Sequence, residues 1–344
     1  MNLALFESLK NNTGLWETFV NDKEILDTKS RYDGLSRTNV MSPVVSEYLI
    51  KQGYQASYPD NKKFAICLTH DIDDIYPPLS HRVLSSLWSI KKWDWSGAKE
   101  HLLWNRNEKL ASPYINFQKI MELEKKYDAK STFYFMTASK DPRRFRYNIE
   151  DIADELKLIV GNGWEVGLHG GYYSFNDFDA VRQEKSRLER ALGSEVTGYR
   201  NHYLRFKIPD TWNILQKCGF NYDSTYGYTN MVGFRNGMCH PFRPYDLQHQ
   251  KWLDLYELPL NVMECAMFDI VKPNEAWEIV KQLIDKVELN KGVITILWHN
   301  NNFSCPFREQ WGVLYEKILQ YGRERNAWMT SGEEIWRWWR DNGY

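Results

Sequence analysis

The chain of 344 residues is poor in cysteine, close to neutral and free of long apolar runs. Its five cysteines are scattered and odd in number, without CxxC spacing, so neither a disulfide framework nor a zinc knuckle is predicted. The net charge of −1 gives no electrostatic reason to expect nucleic acid or an anionic membrane as a partner.

Signals for export or membrane insertion are also weak. The N-terminal stretch MNLALFESLK meets polar residues too early for the apolar core of a secretory signal. No segment reaches the roughly 18 consecutive apolar residues of a spanning helix. We therefore predict a cytoplasmic protein with reduced thiols and no integral membrane segment.

Short β-rich runs alternate with longer helical segments along most of the chain. Apolar residues at helical spacing mark helices near 152–160, 181–192 and 277–287. Repeated strand–helix–strand units predict a parallel sheet covered by helices. The seven predicted strands are 64–71, 131–137, 164–170, 197–203, 221–226, 256–262 and 293–299.

The C-terminal stretch WMTSGEEIWRWWRDNGY predicts a short β-segment followed by a helix from about Ser331. Trp336 and Trp339 are three residues apart and share one face of that helix. We expect this face to pack on the flank of the domain, although a partner surface is the alternative.

Charged and imidazole side chains follow the carboxyl ends of several predicted strands. In parallel α/β barrels these ends meet at one mouth, where the functional groups gather. A lone Asp there is usually a turn former, and a lone His is usually structural. Crowded carboxylates are costly unless a cation neutralises them, so the joint pattern predicts a divalent metal site. The residues are Asp71, Asp73, Asp74, His169, Arg200, His202, Asp223 and His299.

Over roughly residues 60 to 300 these motifs resemble those of the polysaccharide deacetylases of carbohydrate esterase family 4. The resemblance implies an α/β fold, a deformed (β/α)7 TIM-like barrel with parallel strands. We expect residues 61–344 to form this barrel with its C-terminal helix. Residues 1–60 would be an N-terminal extension that could serve as a lid or a dimer element.

The stretch from Thr69 to Asp74, THDIDD, resembles the first motif of the family in a variant with Asp-x-Asp. The resemblance implies that Asp71 is the catalytic base and Asp73 a metal ligand. We expect Asp74 to support a ligand or cap the loop. Strand alternation turns His70 away from Asp71, so His70 is predicted to be structural.

The second family motif carries two metal-binding histidines, but here HGGYY retains only the first of them, His169. Tyr173 stands in place of the second and is expected to contact substrate, since tyrosine is a poor zinc ligand at neutral pH. We hypothesise that His202 completes a metal triad with Asp73 and His169. The alternative is that His202 contacts substrate or packs locally.

The resemblance also implies roles for the remaining motifs. RNHY matches the third motif, in which Arg200 orients the base and the backbone near Tyr203 helps to hold the oxyanion. Asp223 would contact the arginine or the floor of the site, and Tyr203 and Asp223 are expected to bind substrate. LWH delivers His299 as the general acid.

The predicted function is metal-dependent removal of an N-acetyl or other acyl group from an amino sugar in a glycan or glycan precursor. Zinc is the expected cofactor, although cobalt, nickel or manganese would accept the same ligands. A carbohydrate is the expected partner, with no nucleic acid, and the chain could form a homo-oligomer. The alternatives are a small-molecule cyclic amide or imide amidohydrolase and a catalytically silent carbohydrate-binding barrel.

Overall fold

The computed structural model describes residues 3–20, 40–104, 112–139, 147–268 and 271–344. Its strands are β1 (Ala65–Ile72), β2 (Thr132–Met136), β3 (Glu165–Gly170), β4 (Gly198–Asn201), β5 (Tyr222–Asp223), β6 (Tyr245–Asp246), β7 (Lys251–Trp252), β8 (Tyr256–Glu257), β9 (Leu260–Met263), β10 (Val293–Leu297) and β11 (Trp328–Thr330). Its helices are α1 (Leu3–Glu7), α2 (Thr13–Val20), α3 (Val44–Lys51), α4 (Leu79–Lys91), α5 (Trp95–Leu103), α6 (Phe117–Lys125), α7 (Ala153–Gly161), α8 (Phe178–Leu192), α9 (Asp210–Lys217), α10 (Pro273–Leu289), α11 (Glu309–Glu324) and α12 (Gly332–Asp341). Within these ranges, the helices are too short or too polar to cross a bilayer.

The main sheet has nine strands, and its ladders are parallel. The hydrogen-bonded order is β8-β5-β4-β3-β2-β1-β10-β9, and β11 pairs with β1 as a branch. The strand predicted at 256–262 is broken into β8 and β9 at Leu258-Pro259, where proline has no N–H for the ladder. Counting these two pieces as one strand gives seven around the barrel, so the predicted deformed (β/α)7 fold is confirmed.

Tyrosines fill the inside of the barrel, where neighbouring strands offer glycine. A Cβ at Gly198 would overlap the Tyr222 hydroxyl, and one at Gly167 would overlap the Tyr134 ring. The Tyr134 and Tyr222 hydroxyls lie 3.1 Å apart, and the Tyr222 hydroxyl donates to Glu165 Oε1 at 2.7 Å. These close approaches need glycine at both strand positions, and they place the Tyr134 ring beneath the functional end of the barrel.

The helices begin and end where local sequence signals predict. Asp177 caps α8 by accepting from the Ala180 backbone N–H at 3.0 Å, and Gly193 ends the helix at a φ of +82°. Ser331 caps α12, and Trp339 on that helix is fully buried. The expected packing of the C-terminal helix on the barrel is confirmed.

The described N-terminal residues also pack on the barrel domain. Phe6 and Phe19 are buried, and their rings lie 5.9 and 6.0 Å from the ring of Trp252 in the antiparallel β6–β7 hairpin. The Gly237 carbonyl accepts from the backbone N–H groups of Val45 and Ser46. The roles suggested for residues 1–60, a lid or a dimer element, stay predictions.

Replacing Trp339 with alanine tests the contribution of α12 to the fold. The Trp339 ring is buried between the rings of Tyr58 and Tyr344, at 5.7 and 5.5 Å. Removing a buried Trp side chain leaves a cavity, so the free energy of unfolding should fall by about 3–5 kcal/mol, measured by urea denaturation. Leu289→Ala, at a site 82 % exposed, is the control and should change it by less than about 0.5 kcal/mol. Equal losses of unfolding free energy in the two variants would show that Trp339 does not stabilise the packing of α12.

Candidate metal and catalytic site

Asp73, His169 and His202 converge at the carboxyl ends of β1, β3 and β4. His169 Nε2 lies 3.3 Å from Asp73 Oδ1, and His202 Nε2 lies 3.6 Å from the same oxygen. All three donor atoms lie within 4.8 Å of one another. The described residues therefore contain a candidate metal site made of the three side chains that the sequence predicted.

The spacing of these atoms fits a tetrahedral metal. With zinc–ligand bonds of about 2.0–2.1 Å, neighbouring ligand atoms of a tetrahedral site lie roughly 3.3–3.5 Å apart. His169 Nδ1 donates to the Arg200 carbonyl oxygen at 3.0 Å, because a carbonyl can only accept. That bond places a proton on Nδ1, so Nε2 is the nitrogen that a metal would bind, as in many metal-binding histidines.

The ionisation of Asp73 also suits a cation. Burial alone would raise the pKa of this carboxyl group. The charge of His202 and its hydrogen bond, together with the hydrogen bond from His169, outweigh burial and hold the pKa well below its usual value. Asp73 is therefore a carboxylate at neutral pH.

A tight turn after β4 brings His202 to this position. His202 to Leu204 form one 3-10 turn, in which Tyr203 and Leu204 have φ values of +60° and +50°. Non-glycine residues in this left-handed region are uncommon and often mark functional sites. Asn201 holds the turn, donating its backbone N–H to Thr225 Oγ1 at 3.0 Å and its side-chain amide to the His202 carbonyl at 2.9 Å.

Tyr173, at the position of the missing family histidine, lies away from the triad atoms. Its side chain is 59 % exposed, and its ring contacts that of Tyr172 at 5.0 Å. The Tyr172 ring in turn lies 5.5 Å from the ring of Tyr203, which lines the cleft. The substrate contact expected of Tyr173 stays a prediction.

Asp71 has a different set of neighbours from Asp73. The buried Arg200 donates from Nη1 to Asp71 Oδ1 at 3.2 Å and to Thr69 Oγ1 at 2.6 Å. Its Nε and Nη2 bind the Ser224 carbonyl and hydroxyl at 2.9 and 2.7 Å, and the guanidinium lies 4.7 Å from the Tyr134 ring centre. The guanidinium is thus held by several contacts, and it binds Asp71; the role of Asp71 as a base stays a prediction.

Asp223 lies at the floor of the site, one of the two places expected for it, rather than on the substrate side. Its side chain is fully buried, and Oδ1 accepts from the Thr225 backbone N–H and hydroxyl at 3.1 and 2.5 Å. Burial raises its pKa to about 6, and the carboxyl of Glu257 is a hydrogen-bonding neighbour. Asp223 therefore lies under the site floor and does not face substrate, and the next residue, Ser224, is the one that holds Arg200.

His70 and Asp74 behave as local structure predicts. His70 is fully buried, with Nδ1 2.7 Å from the Trp298 carbonyl and Nε2 2.8 Å from Glu124 Oε1. The carbonyl of Asp74 accepts from the Asn300 amide at 3.0 Å, and the residue lines the cleft. His70 is thus structural, while Asp74 belongs to the loop that shapes the site.

His299 lies across the cleft from Asp71 and is held by a residue that sequence reasoning missed. Its Nδ1 lies 2.6 Å from Oε1 of the buried Glu264, and its Nε2 lies 3.9 Å from Asp73 Oδ2. Burial alone would lower the His299 pKa, but Glu264 raises it to about 10. Glu264 comes two residues after the strand predicted at 256–262, so the rule of strand carboxyl ends could have found it.

Asp73, Glu264 and His299 border a cleft of about 470 Å³. Its walls combine the metal-site carboxylate and the candidate acid with aromatic and polar side chains. An apolar and aromatic wall with a few convergent polar groups is typical of small-molecule and sugar sites. Lining residues include Asp73, Asp74, Tyr203, Glu264, Phe268, His299 and Arg308.

Comparison with known proteins agrees with this fold. No family model matches the chain. It is 23% identical over 253 residues to a peptidoglycan deacetylase of Helicobacter pylori, covering 64% of this chain and 82% of that protein. A Mycobacterium smegmatis structure described as a polysaccharide deacetylase superposes with a TM-score of 0.56 at 18% identity, covering 84% of this chain and 94% of the other.

Two further solved structures show the same architecture. One, from Pseudomonas aeruginosa and also described as a polysaccharide deacetylase, has a TM-score of 0.54 at 14% identity over 84% of this chain and 95% of the other. A Puue allantoinase has a TM-score of 0.56 at 15% identity over the same shares. The class of the protein is thus the deformed α/β barrel that these proteins share. The resemblance expected from the motifs is borne out by the similarity to the H. pylori protein, and the solved structures show the shared fold.

Replacing His202 with alanine tests the metal triad. Loss of one of three protein ligands should lower zinc affinity by at least about 100-fold, measured by competition with a chromophoric chelator. Tyr173→Phe is the matched control at the position of the family histidine and should bind zinc as the wild type does. Unchanged zinc affinity in His202→Ala would reject His202 as a ligand.

Proposed function

We propose that the protein is a metal-dependent hydrolase of carbon–nitrogen bonds that removes an N-acetyl or related acyl group from an amino sugar in a glycan or glycan precursor. One observation carries this proposal. Asp71 is paired with the buried Arg200, while a separate carboxylate, Asp73, faces two imidazoles. A simple binding cleft has no need for a base, an orienting arginine and a metal-type triad side by side.

Asp73, His169 and His202 would hold a divalent cation, for which zinc is our proposal. When bound, such an ion supplies Lewis acidity and lowers the pKa of a water molecule toward neutrality. The carboxylate and two imidazoles are donors that zinc accepts, and their donor atoms lie within 4.8 Å of one another. The chain itself supplies the proton transfers and the orientation of the substrate.

Asp71 is the proposed general base. It lies beside the triad, with Oδ2 3.7 Å from His169 Nε2, so it can accept a proton from water at the triad. Arg200 Nη1 lies 3.2 Å from Asp71 Oδ1, which leaves Oδ2 as the oxygen nearer to His169. Because Arg200 also binds Ser224, the base keeps one orientation.

The scissile amide would lie between the Tyr203 turn and His299. Backbone N–H groups of the left-handed turn near Tyr203 are placed at the cleft, where they could stabilise the oxyanion that forms at the amide carbonyl. An amine anion is a poor leaving group, so the nitrogen must be protonated. His299, oriented by Glu264 through Nδ1, presents Nε2 to the cleft and is the proposed proton donor.

The substrate follows from the relatives and the cleft. The H. pylori relative is named a peptidoglycan deacetylase, and the cleft offers aromatic surface from Tyr203 and Phe268 beside the polar groups. We propose a carbohydrate carrying an acylated amino sugar, acted on in the cytoplasm. Acetate and a free amino sugar would be the products.

The decisive experiment replaces Asp71 with asparagine in the zinc-loaded protein. Acetate release from N-acetylated chitooligosaccharides should fall by about 10²–10⁴-fold, because a general base typically contributes that much. Zinc content should be unchanged, since Asp71 is not in the triad. Asp73→Asn should lose both zinc and turnover, while Asp179→Asn, on the exposed surface of α8, should lose neither.

Three other outcomes would contradict the proposal. Retention of most activity by Asp71→Asn would reject its role as the base. Ring opening of cyclic amides or imides without acetate release would favour the small-molecule amidohydrolase. Failure of the wild type to bind any divalent metal, together with no hydrolysis, would favour a silent carbohydrate-binding barrel.

Glu264→Gln tests how His299 is held. The amide is close in shape but carries no charge, so the imidazole loses its charged partner while the buried space stays filled. We expect turnover to fall by about 10–100-fold, with zinc affinity and the urea midpoint near the wild-type values. Rescue of activity by Glu264→Asp would support a charge-dependent role, whereas full activity in Glu264→Gln would contradict it.

A further inference from the structure

The helices α4 and α5 form a hairpin with an unusual outer surface. Among the described residues, nine of the fifteen large apolar side chains that are exposed lie between residues 79 and 103. Trp93 is 81 % exposed and Leu79 is 67 % exposed. Monomeric soluble proteins rarely show an apolar patch of this kind without a binding role. The nine side chains, here called the hairpin patch, are Leu79, Val83, Leu84, Leu87, Ile90, Trp93, Trp95, Leu102 and Leu103.

The inner face of the same hairpin is made of small and polar residues. Ser85, Ser86 and Ser89 on α4 and Ala98 on α5 are buried. Ser86 Oγ donates to the Ala98 carbonyl oxygen across the two helices at 2.9 Å. A hairpin in water buries its apolar face and exposes its polar one, but here the order is reversed. Small and hydroxyl side chains between helices, with apolar ones outside, are typical of helices that pack in lipid.

The dimensions of the hairpin favour a position along the membrane surface. The 13 residues of α4 extend over about 20 Å at 1.5 Å per residue. The hydrocarbon core of a bilayer is about 30 Å thick, so neither helix can span it. Short helices with a strong apolar face lie in the interface, with that face in the boundary between head groups and acyl chains.

The turn between the two helices carries the groups that membrane interfaces select. Trp93 and Trp95 are both exposed there, and tryptophan is enriched at the level of the lipid head groups. Lys91, Lys92 and Lys99 lie near them, and lysines are attracted to anionic lipids. Lys92 also pairs with Glu309, and Asp94 and Glu100 lie in the same segment, so the local excess of positive charge is small.

The position of the hairpin connects it to the site. It is inserted after β1, before the crossover helix α6 that leads to β2, and therefore at the carboxyl end of the barrel. Ser80 and His81, on α4, line the same cleft as Asp73 and His299. Binding of the outer face of α4 to a surface would place the mouth of the cleft beside that surface.

We propose that the α4–α5 hairpin binds the surface of a lipid bilayer and holds the cleft next to it. The reversed distribution of apolar and small side chains, the exposed tryptophans and the nearby lysines favour lipid over a second copy of the chain as the occupant. If the proposed function holds, the amino sugar would belong to a lipid-linked or membrane-bound glycan. The binding of the hairpin to lipid does not depend on that function.

Flotation of the purified full-length chain with vesicles tests the proposal. The vesicles are made of phosphatidylcholine alone or of equal amounts of phosphatidylcholine and phosphatidylglycerol. We expect the wild type to float with both and to bind more tightly to the anionic vesicles. High salt should remove that preference, because salt screens exposed charges.

The matched variants separate the hairpin patch from apolar exposure in general. Leu87→Glu combined with Trp93→Glu should lower the vesicle partition coefficient by at least about tenfold, since carboxylates disfavour insertion. Leu289→Glu combined with Val313→Glu, at positions 82 % and 62 % exposed outside the hairpin, should bind as the wild type does. The milder pair Leu87→Ser and Trp93→Ser gives the same comparison if the charged pair alters the circular dichroism spectrum.

Several results would overturn the proposal. One is that the wild type binds neither kind of vesicle. Another is that the control pair Leu289→Glu and Val313→Glu loses as much binding as the hairpin pair. The third is that the wild type is a dimer that binds no vesicles and that the hairpin variants convert to a monomer. Asp71→Asn should still float with vesicles. Failure of the hydrolase proposal would thus leave vesicle binding unchanged, and failure of vesicle binding would leave acetate release from soluble oligosaccharides unchanged.

Discussion

The mouth of the barrel has to accommodate two carboxylates, Asp71 and Asp73, that are two residues apart and mostly shielded from water. Like charges so close together are costly in a low-dielectric site unless each has its own compensation. The structure separates them, since Arg200 binds Asp71 and the imidazoles of His169 and His202 face Asp73. In the proposed mechanism, that division leaves one carboxylate to act as a base and the other to accept a cation.

The separate pairing of Asp71 and Asp73 depends on the barrel beneath them. Arg200 is fully buried, and a buried guanidinium is tolerated only where its donors are satisfied. Ser224, Thr69 and the Tyr134 ring provide these contacts, and Tyr134 has room because β3 carries Gly167. The interior packing of the strands therefore fixes the electrostatics of the site, and the aromatic richness of the sequence serves this packing.

The α4–α5 hairpin has surface properties that the composition of the whole chain does not predict. The near-neutral composition gave no reason to expect a membrane partner, yet net charge describes the whole molecule and a surface is local. The segment from residue 79 to 103 contains both large apolar side chains and small hydroxyl side chains. The proposed lipid-binding role of this segment follows from which side of each helix is buried. Periodicity in the sequence does not show which side that is, because an apolar stripe is normally assumed to face the core.

The sequence alone determined the seven-strand parallel plan, the start of α12 at Ser331, and the gathering of Asp73 and His169 at one end of the barrel. Strand period, turn chemistry and the rule of strand carboxyl ends are local or topological, so they can be read from the sequence. Tertiary structure alone decided the rest. Only the left-handed turn after Asn201 brings His202 rather than Tyr173 to the triad, and only burial shows that Asp223 lies under the floor and that Glu264 orients His299. These features depend on contacts between strands far apart in the chain, and no single segment contains both partners.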